Sequence, residues 1–325
     1  AINAMLSGQS KAFIALGGNF VAATPDSRIT EQALANCNLT VNIATKLNRT
    51  HLYPGKVSLI LPCLGRTDID IQASGPQRVT VEDSFSMVHA SAGVVKSDTQ
   101  KMKSEPEVIA GIAQATIGNQ VVDWPSLVQN YDEIRQLIAD VLPEFAGMND
   151  KIDQPGGFYL GNSAADYNWQ SENGKAQFGT NKLPEEIVNQ SLRGLTKNRV
   201  LVLQTLRSHD QYNTTIYGFE DRYRGISGER KVILLNEIDI NELGLQEGDL
   251  VDIESLWPDE ITRQVNGFKV IAYDIPKGNA ASYFPEANPL VPLNSVGEFS
   301  DTPTSKSIAV MIKSSSEIKS VGDLL

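Results

Sequence analysis

Residues 205–215 carry the largest group of side chains in this sequence that could bind a ligand. They include Arg, Ser, His, Gln, Asn and Thr, with a single acid at Asp210. Such side chains donate and accept hydrogen bonds, so the group suits a large polar ligand with phosphates and a heteroaromatic edge. It suits a metal poorly, because His209 is its only good ligand for a first-row metal. The sequence therefore predicts a ligand site here, and neither catalytic residues nor metal ligands.

Strands must position this segment and two further polar loops. The apolar run at residues 200–203 predicts a buried strand that ends where the polar segment begins. In the first half, apolar residues 11–16 end at Gly17-Gly18-Asn19, and residues 39–43 are followed by the cations and amides of residues 46–49. Open α/β sheets bind ligands at the carboxyl ends of their strands. Taken alone, the first loop is also explained by a tight turn and the second by a solvated loop.

Charge and cysteine content exclude several functional classes. The net charge of −11 argues against a nucleic acid partner, so an anionic ligand must be held by local donors such as backbone N–H groups. No apolar run approaches the roughly 20 residues that cross a bilayer, and no secretory signal is visible, so we expect no membrane insertion. Cys37 and Cys63 are too few for a disulfide framework, which favours a reducing, cytoplasmic compartment.

The first half of the chain predicts a Rossmann-like parallel α/β domain over residues 1–155. Thr24-Pro25-Asp26 is a helix start, and Ala33, Leu34 and Cys37 fall on one face of the helix that follows. A helix between strands at this spacing is typical of a βαβ unit. Two more helices are predicted, one opened by a capping box at residues 104–107 and one stopped before Pro143. The predicted strands are residues 11–16, 39–43 and 57–61.

The second half, residues 156–325, predicts a closed β-barrel. The linker at residues 153–157 is rich in Pro and Gly and marks the boundary. Asn173-Gly174 and Asn266-Gly267 are typical of two-residue hairpins. One short helix is predicted at residues 239–243, with Gly244 at its end. The six predicted strands are residues 200–206, 231–235, 250–254, 268–273, 280–284 and 308–312.

Several segments together resemble the carboxyl-terminal half of the molybdopterin oxidoreductases, and most closely the formate-dehydrogenase-like alpha subunits. Each is weak evidence alone, but they follow the family's order and span nearly the whole chain. Two departures are visible: Phe20 stands where the wider superfamily usually has Pro, and the acid often found near Lys46 is missing. The segments are residues 14–20, 45–49, 61–67, 173–178, 207–215, 244–249 and 302–306.

The resemblance implies a molybdenum centre held by two molybdopterin guanine dinucleotides. It implies that residues 1–155 are a dinucleotide-binding α/β domain and that residues 156–325 are a six-stranded double-psi β-barrel that closes over both cofactors. Among the residues it implies, His209 could contact phosphate or be a partly buried structural histidine. Asp68 could simply stabilise its loop. The implied cofactor-binding residues are Gly17, Gly18, Asn19, Thr45, Lys46, Asn48, Arg49, Asp68, Thr205, Arg207, Ser208, His209, Asn213, Thr214, Asn288, Thr304 and Lys306.

The family's iron–sulfur cysteines and metal ligand lie upstream in its longer chains. We therefore expect this chain to be a fragment that is inactive alone, with the upstream half of the same enzyme as its partner. A 4Fe-4S cluster is expected only in that upstream part, together with an electron-transfer partner and formate as the substrate. Two alternatives stay open: a non-catalytic nucleotide- or partner-binding module, and an NAD-dependent α/β enzyme.

Overall fold

The computed structural model describes residues 1–97, 102–183, 185, 190–196 and 198–315. Its helices and strands form where the sequence has helical or alternating apolar periodicity. None of its helices in these residues is long and apolar enough to cross a membrane. Short 3-10 helices occur at Arg49–Leu52, Pro143–Phe145 and Asn288–Leu290. The α-helices are α1 (Ile2–Leu6), α2 (Phe20–Ala23), α3 (Ser27–Ala35), α4 (Glu105–Ile117), α5 (Trp124–Gln129), α6 (Tyr131–Val141), α7 (Met148–Lys151), α8 (Gln190–Arg193) and α9 (Glu237–Glu242).

The strands are longest in the second half of the chain, where runs of Val, Ile and Leu are most frequent. They are β1 (Ala12–Leu16), β2 (Leu39–Ala44), β3 (Val57–Pro62), β4 (Ile71–Gln72), β5 (Gly75–Pro76), β6 (Val79–Glu82), β7 (Met87–Ser91), β8 (Phe158–Tyr159), β9 (Leu201–Leu206), β10 (Gln211–Tyr212), β11 (Thr215–Ile216), β12 (Glu220–Asp221), β13 (Ile226–Ser227), β14 (Val232–Leu235), β15 (Leu250–Ser255), β16 (Arg263–Ala272), β17 (Asn279–Tyr283) and β18 (Ile308–Ser314).

Six strands close into a β-barrel in the order β14-β16-β15-β18-β9-β17. The pairs β14·β16 and β9·β17 are parallel, and the other four pairs are antiparallel. Alternate side chains such as Leu201 and Leu203 are fully buried in a core that includes Val251, Ile253 and Phe268. The predicted six-stranded barrel is therefore confirmed, while its double-psi connectivity stays a prediction.

The first part of the chain forms the predicted three-stranded sheet, in the order β1-β2-β3. The helix α3 covers it with the predicted Ala33 and Leu34, which are fully buried in one cluster with Met5 and Val21. Cys37 is buried in the same cluster but lies beyond the end of α3 at Ala35, so its predicted place on the helix was wrong. The predicted α4 and α6 also form, the former with Ser104 accepting a hydrogen bond from the Glu107 backbone. That these strands constitute a Rossmann-like domain stays a prediction.

The chain divides into two compact units. The barrel unit contains residues 1–41, 47–59 and 183–325, and the second unit contains residues 42–46 and 60–182. The second unit holds α4 to α7 and a sheet in the order β6-β7-β8, which the sequence patterns did not predict. Neither unit coincides with residues 1–155 or 156–325, so those functional domain limits stay predictions.

Both Asn-Gly hairpin predictions were wrong. Asn173-Gly174 lies in a turn closed by a bond from the Gly174 N–H to the Ser171 carbonyl, with no strand in residues 160–182. Asn266-Gly267 lies inside β16, beside a shift of register against β15. There the Gly267 N–H donates to the Asp252 carboxylate (3.0 Å), so the left-handed Gly267 forms an irregularity in a continuous strand.

A buried ion pair ties β16 to the start of α3 within the barrel unit. The Arg263 guanidinium bonds the carboxylates of Asp26 (2.9 Å) and Asp259 (2.8 Å), and both Arg263 and Asp26 are almost fully buried. Asn288 reinforces the same junction, because its side-chain amide donates to the backbone carbonyls of Ala22 and Thr24. These contacts hold the chain that leads from the Gly17–Asn19 turn against the barrel.

Replacing Arg263 by Met should destabilise the barrel unit, because it leaves the buried Asp26 carboxylate without its cation. Removing one partner of a buried pair typically costs about 3–5 kcal/mol. Urea unfolding of R263M measures this loss. The matched control is E229Q, which breaks the exposed Lys269–Glu229 pair (3.0 Å) and should change stability by less than about 1 kcal/mol. Equal effects of the two variants would contradict the prediction.

Stability should also fall in acid through Asp259, whose pKa is held below its usual value by hydrogen bonds from Arg263. A carboxyl group with a depressed pKa stabilises the fold above its unfolded pKa of about 3.9, and the contribution disappears as the pH falls below that value. Urea unfolding between pH 6 and pH 3 should therefore show a shallower decline for D259N than for the parent chain. Parallel profiles would show that Asp259 adds nothing.

Candidate functional site

The buried guanidinium of Arg230 organises the polar segment that follows β9. Arg230 is 7% exposed and donates to the Ser208 hydroxyl (2.7 Å) and to the Gln211 side-chain oxygen (3.1 Å). The same Gln211 oxygen accepts from the Ser208 N–H (2.9 Å), which closes the start of the loop. The predicted site residue Ser208 is thus a buried anchor of the loop.

Two further contacts fix Arg230 from the other side. Its guanidinium makes a two-point ion pair with Glu286 and donates to the Phe284 carbonyl (2.9 Å). It also lies 4.8 Å from the centre of the Tyr283 ring, a favourable distance for a cation over an aromatic face. Because a planar guanidinium donates in a rigid fork, these partners together define one position for the loop.

A cleft of about 480 Å³ in the barrel unit brings the glycine turn and the barrel together. Arg49 and Lys231 contribute cations to it, and Glu286 connects it through Arg230 to the loop at Ser208. The Asn19 side-chain oxygen, also in this lining, is buried and accepts no hydrogen bond. The cleft is lined by Asn19, Ala22, Ser27, Arg49, Lys231, Val265, Asn266, Phe268, Pro285, Glu286 and Pro289.

The two predicted loops of the first half meet beside this cleft. The Asn48 side-chain amide donates to the Gly18 carbonyl (2.7 Å), and the Thr50 hydroxyl accepts from the Val21 N–H (3.2 Å). Gly17 and Gly18 both have φ of 63°, a left-handed conformation that favours glycine and gives the turn its sharp bend. Asn48 also caps the short helix Arg49–Leu52, so its predicted ligand role is added to a structural one.

Arg207 and Lys306 form a pair of like charges at the end of β9. The Lys306 ammonium donates to the Thr205 carbonyl, and Thr205 is 2% exposed. Burial and the nearby positive charge of Arg207 together lower the pKa of Lys306. Among the described residues no carboxylate forms an ion pair with either cation, so the pair is suited to an anion.

His209 is held by neighbours that the sequence did not single out. Its Nδ1 lies 2.8 Å from the Asp210 carboxylate, its Nε2 lies 2.9 Å from the Arg222 guanidinium, and its ring lies 4.6 Å from the ring of Tyr223. The residue is partly buried, with the side chain 18% exposed. This arrangement fixes the orientation of the ring, and the same clamp is compatible with the structural role and with a phosphate contact.

A buried carboxylate anchors the segment at residues 221–224. Asp221 accepts from the Tyr283 hydroxyl (2.7 Å) and from Arg224 (2.6 Å). Burial alone would raise the pKa of Asp221, but these hydrogen bonds outweigh it and lower the pKa. Burial and the hydrogen bond to Asp221 raise the pKa of Tyr283. The pair is therefore a fixed structural unit that joins residues 221–224 to β17.

The remaining predicted residues of the barrel half lie at turns. Asn213 and Thr214 form the turn between β10 and β11, with Asn213 in a left-handed conformation (φ 49°) and exposed. Thr304 donates to the Ser295 carbonyl (3.2 Å). Asn288 is 3% exposed, and its amide nitrogen is already bonded to two backbone carbonyls. Its position favours the structural role described above, and its predicted cofactor contact stays a prediction.

Three predicted residues belong to the second unit. Thr45 and Asp68 line a cavity of about 370 Å³ there, whereas Lys46 is exposed outside its lining. The Asp68 carboxylate accepts from the Gly65 N–H (2.6 Å), which stabilises the loop. In the lining of the same cavity, the Tyr131 hydroxyl bonds Asp70 and Ser104 (2.8 Å to the Ser104 hydroxyl). No group of residues in the described part of the chain is arranged to hold a metal ion.

The sequence patterns missed Lys231, Asn266 and Glu286, which line the cleft, and Arg230, which is paired with Glu286. One signal was available: Glu229, Arg230 and Lys231 place three charges immediately before the apolar run of β14. Only Arg230 of these three is buried, and a buried arginine is rarely found without a partner. The partner Glu286, however, is 56 residues away and follows a different strand, so no local pattern indicates the pair.

Comparison with known proteins identifies a family model that matches the barrel part of the chain. The family model described as molydopterin dinucleotide binding domain matches residues 201–310, which include β9, the polar loop and most of the barrel. The solved structure of acetylene hydratase from Pelobacter acetylenicus superposes with a TM-score of 0.63 over 96% of this chain and 46% of that one. At 15% identity, this likeness establishes the fold alone.

Sequence relatives match nearly the whole chain. A Mycobacterium tuberculosis protein named as an uncharacterized oxidoreductase is 46% identical over 96% of this chain, and the Escherichia coli protein YdeP is 44% identical over 97%. The chain spans only 40% and 41% of the lengths of these curated relatives. The resemblance to the carboxyl-terminal region of the molybdopterin oxidoreductases is thus confirmed, and residues 201–310 match the molydopterin dinucleotide binding domain.

Proposed function

We propose that this chain is the cofactor-binding portion of a molybdenum oxidoreductase that uses two molybdopterin guanine dinucleotides. The observation that carries the proposal is the junction in the barrel unit. There Asn19 shares one cleft with Glu286, and Glu286 is linked through Arg230 to the polar loop of the matched domain. A site made by a loop from the sheet and a loop from the barrel suits a ligand with several separate polar groups.

The polar and charged side chains of this region fit a molybdopterin guanine dinucleotide. The buried Asn19 oxygen accepts no hydrogen bond, so a donor N–H of a pterin or guanine edge would satisfy it. Arg207 and Lys306 form no ion pair with a carboxylate among the described residues, so their positive charges suit a pyrophosphate. Arg49 and Lys231 line the cleft and give it local positive charge, although the net charge of the chain is −11. Electrostatic attraction here is therefore local, as the sequence led us to expect.

The complete enzyme would draw its oxidation–reduction chemistry from the bound molybdenum group, with formate as the substrate that the family resemblance favours. This chain would bind and orient the dinucleotides and exclude water from them. Arg230 would hold the loop at Ser208 rigid, and the clamp of Asp210 and Arg222 would fix the ring of His209. A 4Fe-4S cluster, the protein ligand to the metal and the electron-transfer partner would belong to the preceding part, in a cytoplasmic protein.

Arg207→Gln and Lys306→Gln should each weaken binding of GDP, used as a probe for the nucleotide end of the cofactor. Charge-assisted hydrogen bonds contribute about 1.5–3 kcal/mol, so the Kd should rise roughly 10- to 100-fold. Isothermal titration at low and high salt measures this, and the salt dependence should decrease in both variants. Lys313→Gln is the control, since Lys313 is paired with Glu254 (2.5 Å) at the far end of β18. If all three variants bind GDP alike, the assignment of the cation pair is wrong.

The chain alone should not oxidise formate, because the proposed metal ligand and electron path lie in the preceding part. Turnover of formate with a dye acceptor by this chain alone would contradict that expectation. Thermal-shift titrations then separate the alternatives, because a ligand that binds the folded state raises Tm. Stabilisation by GDP supports the proposal. Stabilisation by NAD alone favours the NAD-dependent enzyme, and a response to neither favours the non-catalytic binding module.

A further inference from the structure

The two Asn-Gly dipeptides, neither of which forms the hairpin that its sequence predicts, lie in contrasting environments. Asn173-Gly174 belongs to residues 160–182, a fully described stretch that contains neither helix nor strand. Asn266-Gly267 lies inside the barrel strand β16. Asparagine side chains lose ammonia most easily before glycine, because glycine has no Cβ to hinder attack by its own backbone nitrogen. The two environments therefore predict different chemical reactivities for the same dipeptide.

The reaction in question is an intramolecular deamidation. The backbone nitrogen of Gly174 attacks Cγ of the Asn173 side chain and forms a new C–N bond. The bond from Cγ to the side-chain nitrogen breaks, and ammonia leaves with the proton that the Gly174 N–H gives up. Water then adds across one of the two C–N bonds of the cyclic imide, and the product is either aspartate or isoaspartate. Nothing is oxidised or reduced, and water is the co-reactant.

The turn at Asn173 leaves the reacting groups accessible and polarises the side-chain amide. Asn173 and Gly174 are both exposed. The Lys175 N–H donates to the Asn173 side-chain oxygen (3.1 Å), which makes Cγ more electrophilic and stabilises the oxyanion that the attack creates. The Gly174 N–H donates to the Ser171 carbonyl (3.0 Å), a bond within the same turn. Breaking it requires local opening of an exposed segment, which costs little free energy.

The strand at Asn266 opposes each of these steps. The Gly267 N–H donates to the Asp252 carboxylate (3.0 Å), and a negative charge at this distance disfavours loss of the proton from the attacking nitrogen. On either side, Val265 and Phe268 are paired with residues of β15. Closing a five-membered ring at Asn266 therefore requires part of the barrel to open, which costs far more free energy than opening an exposed turn.

We propose that Asn173 is a site of spontaneous deamidation in the folded chain and that Asn266 is protected by its strand. The reaction adds one negative charge to a chain whose net charge is already −11. Aspartate keeps an oxygen that can accept the Lys175 N–H, whereas isoaspartate lengthens the main chain by one carbon and disrupts the turn. The reaction requires no cofactor, so it is independent of the proposed function.

Peptide mass spectrometry of the folded chain during incubation at pH 8 follows both sites in one sample. Each event exchanges an amide NH2 for a hydroxyl group and raises the peptide mass, and electron-transfer fragmentation distinguishes isoaspartate from aspartate. Asn173 should react at least about tenfold faster than Asn266, because its turn opens more easily than the barrel. Equal rates at the two sites, or no reaction at Asn173, would overturn the proposal.

Unfolding the chain in urea separates the effect of the fold from that of the dipeptide. In the unfolded chain neither the Lys175 bond nor the pairing of β16 persists, so the two sites should react at similar rates. If Asn266 stayed as slow in urea as in the folded chain, its flanking sequence and not its strand would set its reactivity. That result would contradict the proposed protection.

Two variants test the chemistry at Asn173. G174A should slow the reaction, because a methyl group hinders the attacking nitrogen and is strained at the Gly174 φ of 63°. An unchanged rate would exclude this nitrogen as the attacking atom. K175P removes the N–H that polarises the amide, so it should slow the reaction more in the folded chain than in urea. Equal slowing in both would overturn the activation by Lys175. The matched control is G267A, which should leave the rate at Asn173 unchanged.

Discussion

The buried guanidinium of Arg230 is the contact on which the candidate site depends. Placing a cation in a protein interior is costly unless every donor has a partner, and Arg230 finds its partners in Ser208, Gln211, Phe284 and Glu286. These partners come from two separate segments, one after β9 and one after β17. The parallel pairing of those strands brings both segments to the same end of the barrel. The electrostatic requirement of one side chain thus fixes the loop in which cofactor-binding residues are predicted.

A second constraint joins the glycine turn to this barrel. Arg263 reaches Asp26, and Asn288 reaches the carbonyls of Ala22 and Thr24, so the chain beyond Asn19 has little freedom relative to β16. Asp26 adopts a left-handed conformation (φ 50°) that Asp tolerates better than most residues. The cleft therefore has two preorganised walls, which reduces the entropy that ligand binding must overcome.

Local patterns predicted the elements better than the site. Periodicity and capping predicted all six barrel strands and the helices α3, α4 and α6. Both signals are local, because each is carried by residues that are close together in the sequence. Asn266-Gly267 failed because register against β15, a non-local contact, decides between a hairpin and an irregular strand. The ion pair between Arg230 and Glu286 was not predicted for the same reason, because it depends on which strands are neighbours in the barrel. The division into units is equally non-local, since residues 183–325 group with residues 1–41.

The negative net charge of the chain makes the pair of cations formed by Arg207 and Lys306 more informative. In a chain with a net charge of −11, lysines and arginines have many carboxylates available, and eight described cations of the barrel unit form ion pairs with them, namely Arg49, Arg199, Arg224, Arg230, Arg263, Lys269, Lys277 and Lys313. Arg207 and Lys306 stand together instead, although their repulsion contributes to a lowered pKa of Lys306. Like charges held close in the absence of an anion are unfavourable, and the site gains that free energy back when an anion binds. The local arrangement therefore favours an anionic ligand even though the long-range field of the protein opposes one.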